Sequence, residues 1–167
     1  MKKILLLSDT HSFIDSTILK YVQCADEVWH AGDIGNLEVT DSIKKIKPLR
    51  AVFGNIDDHI IRTEFPLTIN FELEGVKVLM THIAGYPGKY NVRTQETIRL
   101  HQPKLFICGH SHILKVQYDK KFDMLHVNPG AAGKHGFHKV RTMLRFVLEN
   151  GAIKNMEIIE LGVRSQT

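Results

Sequence analysis

Five short apolar segments in this chain stop at the same kind of residue. KILLLS (3–8) runs into Asp9-Thr10-His11, and EVWHAGD (27–33) ends in Gly32-Asp33. LRAVFGN (49–55) ends in Gly54-Asn55, VKVLMTH (76–82) in Thr81-His82, and KLFICGH (104–110) in a Gly-His-Ser-His run closing at His112. A short continuous apolar run bounded by turn residues is the pattern of a strand covered on both faces. Polar groups gathered at the carboxyl ends of such strands lie where open α/β sheets bind ligands. If the five strands run parallel, their ends meet on one rim.

The segments between them complete an α/β pattern. Ser16–Val22 and Leu37–Ile46 have helical spacing, the second stopped by Pro48, and Tyr90–His101 is a helix closed by Gln102-Pro103. Thr68–Leu73 alternates like a half-exposed strand and turns back at Glu74-Gly75. VQYD and MLHVN are further strands, the second closed by Pro129-Gly130. Asn150-Gly151 joins RTMLRFVLE to AIKNMEIIEL as a hairpin. Early βαβ units followed by antiparallel strands fit two packed sheets with helices outside, in one domain over residues 1–167.

Composition narrows the function. With 43% hydrophobic and 24% charged residues, the chain is that of a globular protein. No apolar run approaches the roughly 20 residues that span a bilayer. The opening MKKILLLSDTH has an apolar core of only Ile4–Leu7, too short for a signal peptide, so a cytoplasmic, membrane-free protein is expected. Cys24 and Cys108 make no disulfide framework and are expected as reduced core thiols. The net charge of +4 is spread out apart from Lys120-Lys121 and residues 134–145, which argues against nucleic acid as a stable partner.

The donors at the strand ends are carboxylate, imidazole and amide, without a thiolate. That set suits Mn, Fe, Zn or Co. An Asp between two such ions bridges them at about 3.5–4 Å. Glycines before Asp33, Asn55 and His110 permit close backbone approach. Each motif alone is an ordinary turn or cap; five in this order, each after an apolar run, are specific.

The order Asp9-x-His11, Gly32-Asp33, Gly54-Asn55-x-Asp57, His82, Gly109-His110-x-His112 resembles the calcineurin-like metallophosphoesterase superfamily, and the short chain and the VNPG turn (127–130) resemble its small bacterial and archaeal phosphodiesterase branch. The resemblance implies a four-layer αββα sandwich, two mixed central sheets flanked by helices. It implies two divalent transition-metal ions, Mn first and Fe, Zn, Co or Ni as alternatives. One would be held by Asp9, His11, Asp33 and His112, the other by Asp33, Asn55, His82 and His110, with Asp33 bridging. It makes Asp33, Asn55 and His82 the catalytic set, the reaction phosphoester hydrolysis by a metal-bound hydroxide, the substrate a small phosphodiester, and a homodimer the suggested assembly. A phosphomonoesterase and a metal-binding scaffold without turnover are the competing readings.

One departure from the family pattern bears on specificity. Many members carry a histidine after the loop asparagine, held by the next carboxylate and placed to donate to the phosphate or the leaving oxygen. Here that position is Ile56, and an alkyl group donates nothing. Loss of a positioned general acid costs about 10²–10⁴ in rate where the leaving group needs a proton. A diesterase with weak monoesterase activity is therefore expected. Two cations, two aspartates and one hydroxide leave a formal charge of about +1, which one diester anion matches. Asp57 and His59 are expected near the substrate, His135 and His138 on the rim, and Thr10 and Ser111 as hydrogen-bond partners of the ligands.

Overall fold

The computed structural model describes residues 1–164. The elements run β1 (Lys2–Leu7), α1 (Ser16–Cys24), β2 (Glu27–His30), α2 (Leu37–Lys44), β3 (Leu49–Ala51), α3 (His59–Glu64), β4 (Thr68–Leu73), β5 (Val76–Thr81), α4 (Val92–His101), β6 (Leu105–Ile107), β7 (Leu114–Asp119), β8 (Met124–Pro129), β9 (Val140–Glu149) and β10 (Ala152–Val163). One sheet has the order β10-β9-β1-β2-β3 and the other β4-β5-β6-β8-β7. Both are mixed. β1, β2 and β3 are parallel, with β9 and β10 antiparallel on one side. β5, β6 and β8 are parallel, and β4 and β7 close the two edges antiparallel.

Alternation along the strands builds the layers. In β1, Leu5 and Leu7 face Ile18 and Val22 of α1 and Val39 and Ile43 of α2. Ile4 and Leu6 face the other way, into an inter-sheet core with Trp29, Val78, Met80, Leu105, Ile107 and Phe146. Leu79 and Phe106 point out of the second sheet onto Tyr90 and Ile98 of the α4 side. Helices, sheet, sheet and helix make the four-layer αββα sandwich expected from the resemblance. The continuous apolar pattern of β1 follows, since both its faces are buried.

Helix ends obey local chemistry. Asp15 caps α1 by accepting from Ile18 N, and Asn91 caps α4 by accepting from Thr94 N. Gln102 ends α4 in the left-handed region, ahead of Pro103. α3 is absent from the sequence reading because six residues are too few to display a period; Asp58, accepting from Ile60 N and Ile61 N, starts it. Cys24 corrects an expectation. It is exposed at the end of α1, and only Cys108 is a buried thiol. The donor-bearing strands are parallel as expected, but they fall in two sheets, β1–β3 in one and β5–β6 in the other. Their carboxyl ends meet across the sandwich, where His82 Nδ1 lies 2.7 Å from the carbonyl of Ala31.

Candidate metal centre

Two groups of donors lie at this seam. Asp9, His11 and His112 form one, and Asp33, His82 and His110 the other, with the ligand atoms in each group within 4.8 Å of one another. Asp33 Oδ2 lies between them, 3.5 Å from His11 Nε2 and 3.3 Å from His82 Nε2. Asn55 joins the second group, its Oδ1 3.0 Å from His110 Nδ1. All seven residues expected as metal donors are therefore together.

Each carboxylate is pinned by one oxygen and offers the other. Asp9 Oδ2 accepts from Ser8 Oγ at 2.5 Å and from His110 N at 3.1 Å, while Oδ1 faces the imidazoles. Asp33 Oδ1 accepts from Ile56 N at 3.1 Å and leaves Oδ2 inward. The histidines are oriented likewise. A carbonyl only accepts, so His82 donates from Nδ1 to Ala31 O and presents Nε2 as a lone pair. His138 donates from Nε2 to Gly133 O at 2.9 Å, which leaves its Nδ1 to accept from His112 Nδ1 at 3.3 Å. His112 then presents Nε2, 3.0 Å from Asp9 Oδ1.

The donors fit divalent ions on structural grounds. Asp9 Oδ1, His11 Nε2 and His82 Nε2 are buried without a hydrogen-bond partner among the described residues. Buried polar atoms are rarely left so, because each costs about 1–3 kcal/mol. Here the three orphans point at one another, as lone pairs waiting for a cation do. Burial opposes ionisation of Asp9 and Asp33, yet the His112 and His82 imidazoles beside them, the Ser8 hydroxyl on Asp9 and the Ile56 N–H on Asp33 outweigh it and hold both carboxyls below their ordinary values. Burial likewise works against the His82 cation, but Asp33 and Asp9 overcome it and raise the imidazole pKa.

The backbone is strained where the donors sit. Asp9, His11, Asp33, His110 and His112 all have positive φ, between 44° and 71°. Such non-glycine residues cost of the order of 1–3 kcal/mol each and gather at functional sites. The glycines serve close approach. A Cβ on Gly54 would lie 2.1 Å from Asp33 Oδ1, and one on Gly109 2.2 Å from Ser8 Oγ.

Several side chains around the donors have surroundings the motifs did not reveal. Asp57 lines neither cavity at the donors. It is buried, and its carboxylate accepts from Gly54 N (2.7 Å), Gly35 N (2.8 Å) and Ile34 N (3.1 Å), clamping the Asn55 loop to the Asp33 loop. His59 is exposed at the start of α3 and lines neither cavity that opens at the donors. Thr10 bonds His30 Nε2 and Ile34 O, and Ser111 bonds Ile113 N and Asn128, so neither holds a donor side chain. Ser8 does that work and was missed; a hydroxyl directly before a strand-end aspartate was its only signal. The VNPG turn supplies Asn128, which donates to Gly109 O at 3.0 Å and steadies the His110 loop. His30 is fully buried beside the centre, and desolvation lowers its pKa to about 4.

Ile56 is exposed and lines the mouth over the donors, a cavity of about 520 Å³ shared with His11, Asp33, Asn55, His110 and His112. His135 and His138 line it too, His135 against His11 with ring centres 4.7 Å apart.

Residues 1–151 match the model of the calcineurin-like phosphoesterase superfamily domain. The chain belongs to that superfamily. It is thus a phosphoesterase, a hydrolase, of a family that works with divalent metal ions. A relative from Mycoplasma pneumoniae, named a probable metallophosphoesterase, is 30% identical over 138 residues, covering 78% of this chain and 79% of its own. Among solved structures, an archaeal phosphodiesterase matches with a TM-score of 0.70 at 22% identity, over 95% of this chain and 99% of its own. Entamoeba histolytica Vps29 complexed with Zn²⁺ matches with a TM-score of 0.71 at 16% identity, over 95% and 98%. The last two are likenesses of fold. No helix among the described residues is long and apolar enough to cross a membrane.

Proposed function

We propose that this chain is a phosphodiesterase that holds two divalent ions and hydrolyses a small phosphodiester with little activity on monoesters. The observation that carries the reading is Asp33 Oδ2, set between His11 and His82 where two donor groups meet. Asp9, His11, Asp33 and His112 would hold one ion, and Asp33, Asn55, His82 and His110 the other. Mn²⁺ is the first candidate for such oxygen and imidazole donors, with Fe, Zn, Co or Ni as alternatives. Bound divalent ions lower the pKa of water and draw charge from phosphoryl oxygens.

The chain's own residues do the rest. Asp33 and Asp9 supply the negative charge that keeps the centre matched to one phosphodiester anion. Asn55 lines both the mouth and a second cleft, and His82 lines that second cleft, so they would flank the scissile phosphate from that side. Ile56 borders the mouth with no donor to offer a leaving oxygen. Diesters with good leaving groups suffer least from that loss.

The test is turnover of bis-p-nitrophenyl phosphate and p-nitrophenyl phosphate by metal-stripped protein, before and after Mn²⁺, with Asp33→Asn alongside and bound metal counted. Expected are two ions per chain, Mn²⁺-dependent diester hydrolysis at least tenfold faster than monoester hydrolysis, and neither full metal loading nor turnover in the variant. A monoester rate equal to the diester rate would remove the proposed diester specificity, and a faster one would reverse it. Two bound ions without turnover of either ester would favour a scaffold.

A further inference from the structure

A second cleft opens beside the centre and shares Asn55 and His82 with it. Its volume is about 540 Å³, within the usual range for small-ligand sites. Its accessible apolar part is the half-buried Phe53 and Leu67 and the exposed Ile83, above the buried Leu79 and Phe106, and Arg62 lies over the Phe53 ring at 4.8 Å. Arg93 and threonine hydroxyls at the start of α4 form another wall. No acidic side chain lines it.

The cleft is cationic and its arginines are not neutralised. Among the described residues, neither Arg62 nor Arg93 forms an ion pair with a carboxylate. Arg62 donates from Nε to Asp57 O and from Nη2 to Asn55 O, which sets its head in place and leaves Nη1 for a ligand. The mouth over the donors is different. It contains no lysine or arginine, and Ile56, Ile113 and Phe137 stand exposed along it. A phosphodiester seated on the centre thus has two unlike neighbourhoods for its two arms, an apolar rim and an arginine-bearing cleft. A guanidinium matches phosphate oxygens by charge-assisted hydrogen bonds.

From this asymmetry, and resting on the phosphodiesterase reading above, we infer that the cleft holds one arm of the diester and that this arm is a nucleoside-sized body carrying a second phosphate. The scissile phosphate lies against Asn55 and His82; the second phosphate meets Arg93 and Arg62; the flat body covers the apolar wall between them. The substrate class is a nucleotide-type diester with a further phosphate on one side.

Binding tests this without metal or turnover. Thymidine 3′,5′-bisphosphate and thymidine are titrated calorimetrically into metal-free protein in EDTA, for wild type, Arg93→Glu and Arg93→Lys, with Trp29 fluorescence confirming that each is folded. The bisphosphate should bind wild type at least tenfold more tightly than thymidine. Arg93→Glu should lose at least tenfold and Arg93→Lys should keep most of the affinity. Turnover adds a second arm. With Mn²⁺, a 5′-terminal phosphate on a dithymidine diester should raise kcat/KM about tenfold in wild type and not in Arg93→Glu. Bisphosphate binding that is absent, or equal within twofold in wild type and Arg93→Glu, overturns the inference even if bis-p-nitrophenyl phosphate is hydrolysed. Arg93-dependent binding without any diester turnover would retain the cleft and remove the phosphodiesterase reading.

Discussion

Replacing Asp57 separates a loop clamp from a substrate contact. Its carboxylate receives three backbone N–H groups, two of them in buried bonds. Hydrogen bonds to a charged group contribute about 1.5–3 kcal/mol each, and a buried donor left unpaired costs about 1–3 kcal/mol. In Asp57→Ala the half-buried Gly35 N–H regains water, while those of Ile34 and Gly54 do not. The loss from two buried bonds is then about 3–6 kcal/mol, a large effect for one side chain. Asp57→Asn keeps one acceptor oxygen but turns an N–H₂ toward at least one backbone donor, and should lose about 2–3 kcal/mol. The assay is urea unfolding of metal-free protein followed by the buried Trp29. A clamp predicts lower stability in both variants, with turnover falling because Asn55 and Asp33 move. An Asp57→Ala stability within about 1 kcal/mol of wild type, together with a collapse of kcat, would refute the clamp and restore Asp57 to the substrate.

Other predictions follow from the same geometry. Ile56→His places a donor in the mouth and should raise p-nitrophenyl phosphate turnover at least tenfold with little change on the diester; no gain would count against the account of Ile56. Gly54→Ala drives a Cβ into Asp33 Oδ1, so metal counting should find fewer than two tightly held ions; unchanged loading would show that the loop yields. His126 is buried against Tyr90 and Cys108, and desolvation lowers its pKa to about 4. The unfolded chain, with an ordinary histidine value near 6.5, takes up a proton first as pH falls. Stability from keeping His126 neutral is therefore complete above about 6.5 and lost toward pH 4. Between pH 7 and 5 the loss is about 2 kcal/mol. The slope should flatten by that amount in His126→Phe, and an unchanged urea midpoint difference would refute it.

The sequence revealed what each strand ends in, because donors that follow apolar runs are visible as motifs. Four layers were legible through the family resemblance and agree with the alternation of β1. What lay hidden was which residues stand behind the donors. Ser8, His138 and Asn128 act through contacts between segments far apart in the chain, and no spacing encodes those. Asp57 was visible, but not its surroundings: its carboxylate is bonded to backbone N–H groups of residues 34, 35 and 54. α3 was too short to show a period, and Cys24 was assigned to the core from its apolar neighbours, though it lies on the open face of α1.

The strain at the donors and the bonds behind them are two sides of one arrangement. Five donors at positive φ together cost several kcal/mol, at roughly 1–3 kcal/mol each. A free loop would relax out of that conformation. These loops are held from outside the centre: the Asp33 and Asn55 loops by Asp57 and Arg62, the His110 loop by Asn128, the His112 ring by His138. Arg62 apart, which also lines the second cleft, none of the holding groups needs to touch a metal ion or a substrate. Substitutions among them should therefore change activity through donor position, and they should also change the stability of metal-free protein. Arg93 differs in kind. Its side chain has no hydrogen-bond or ion-pair partner among the described residues, so its removal should leave metal-free stability alone and act on ligand affinity.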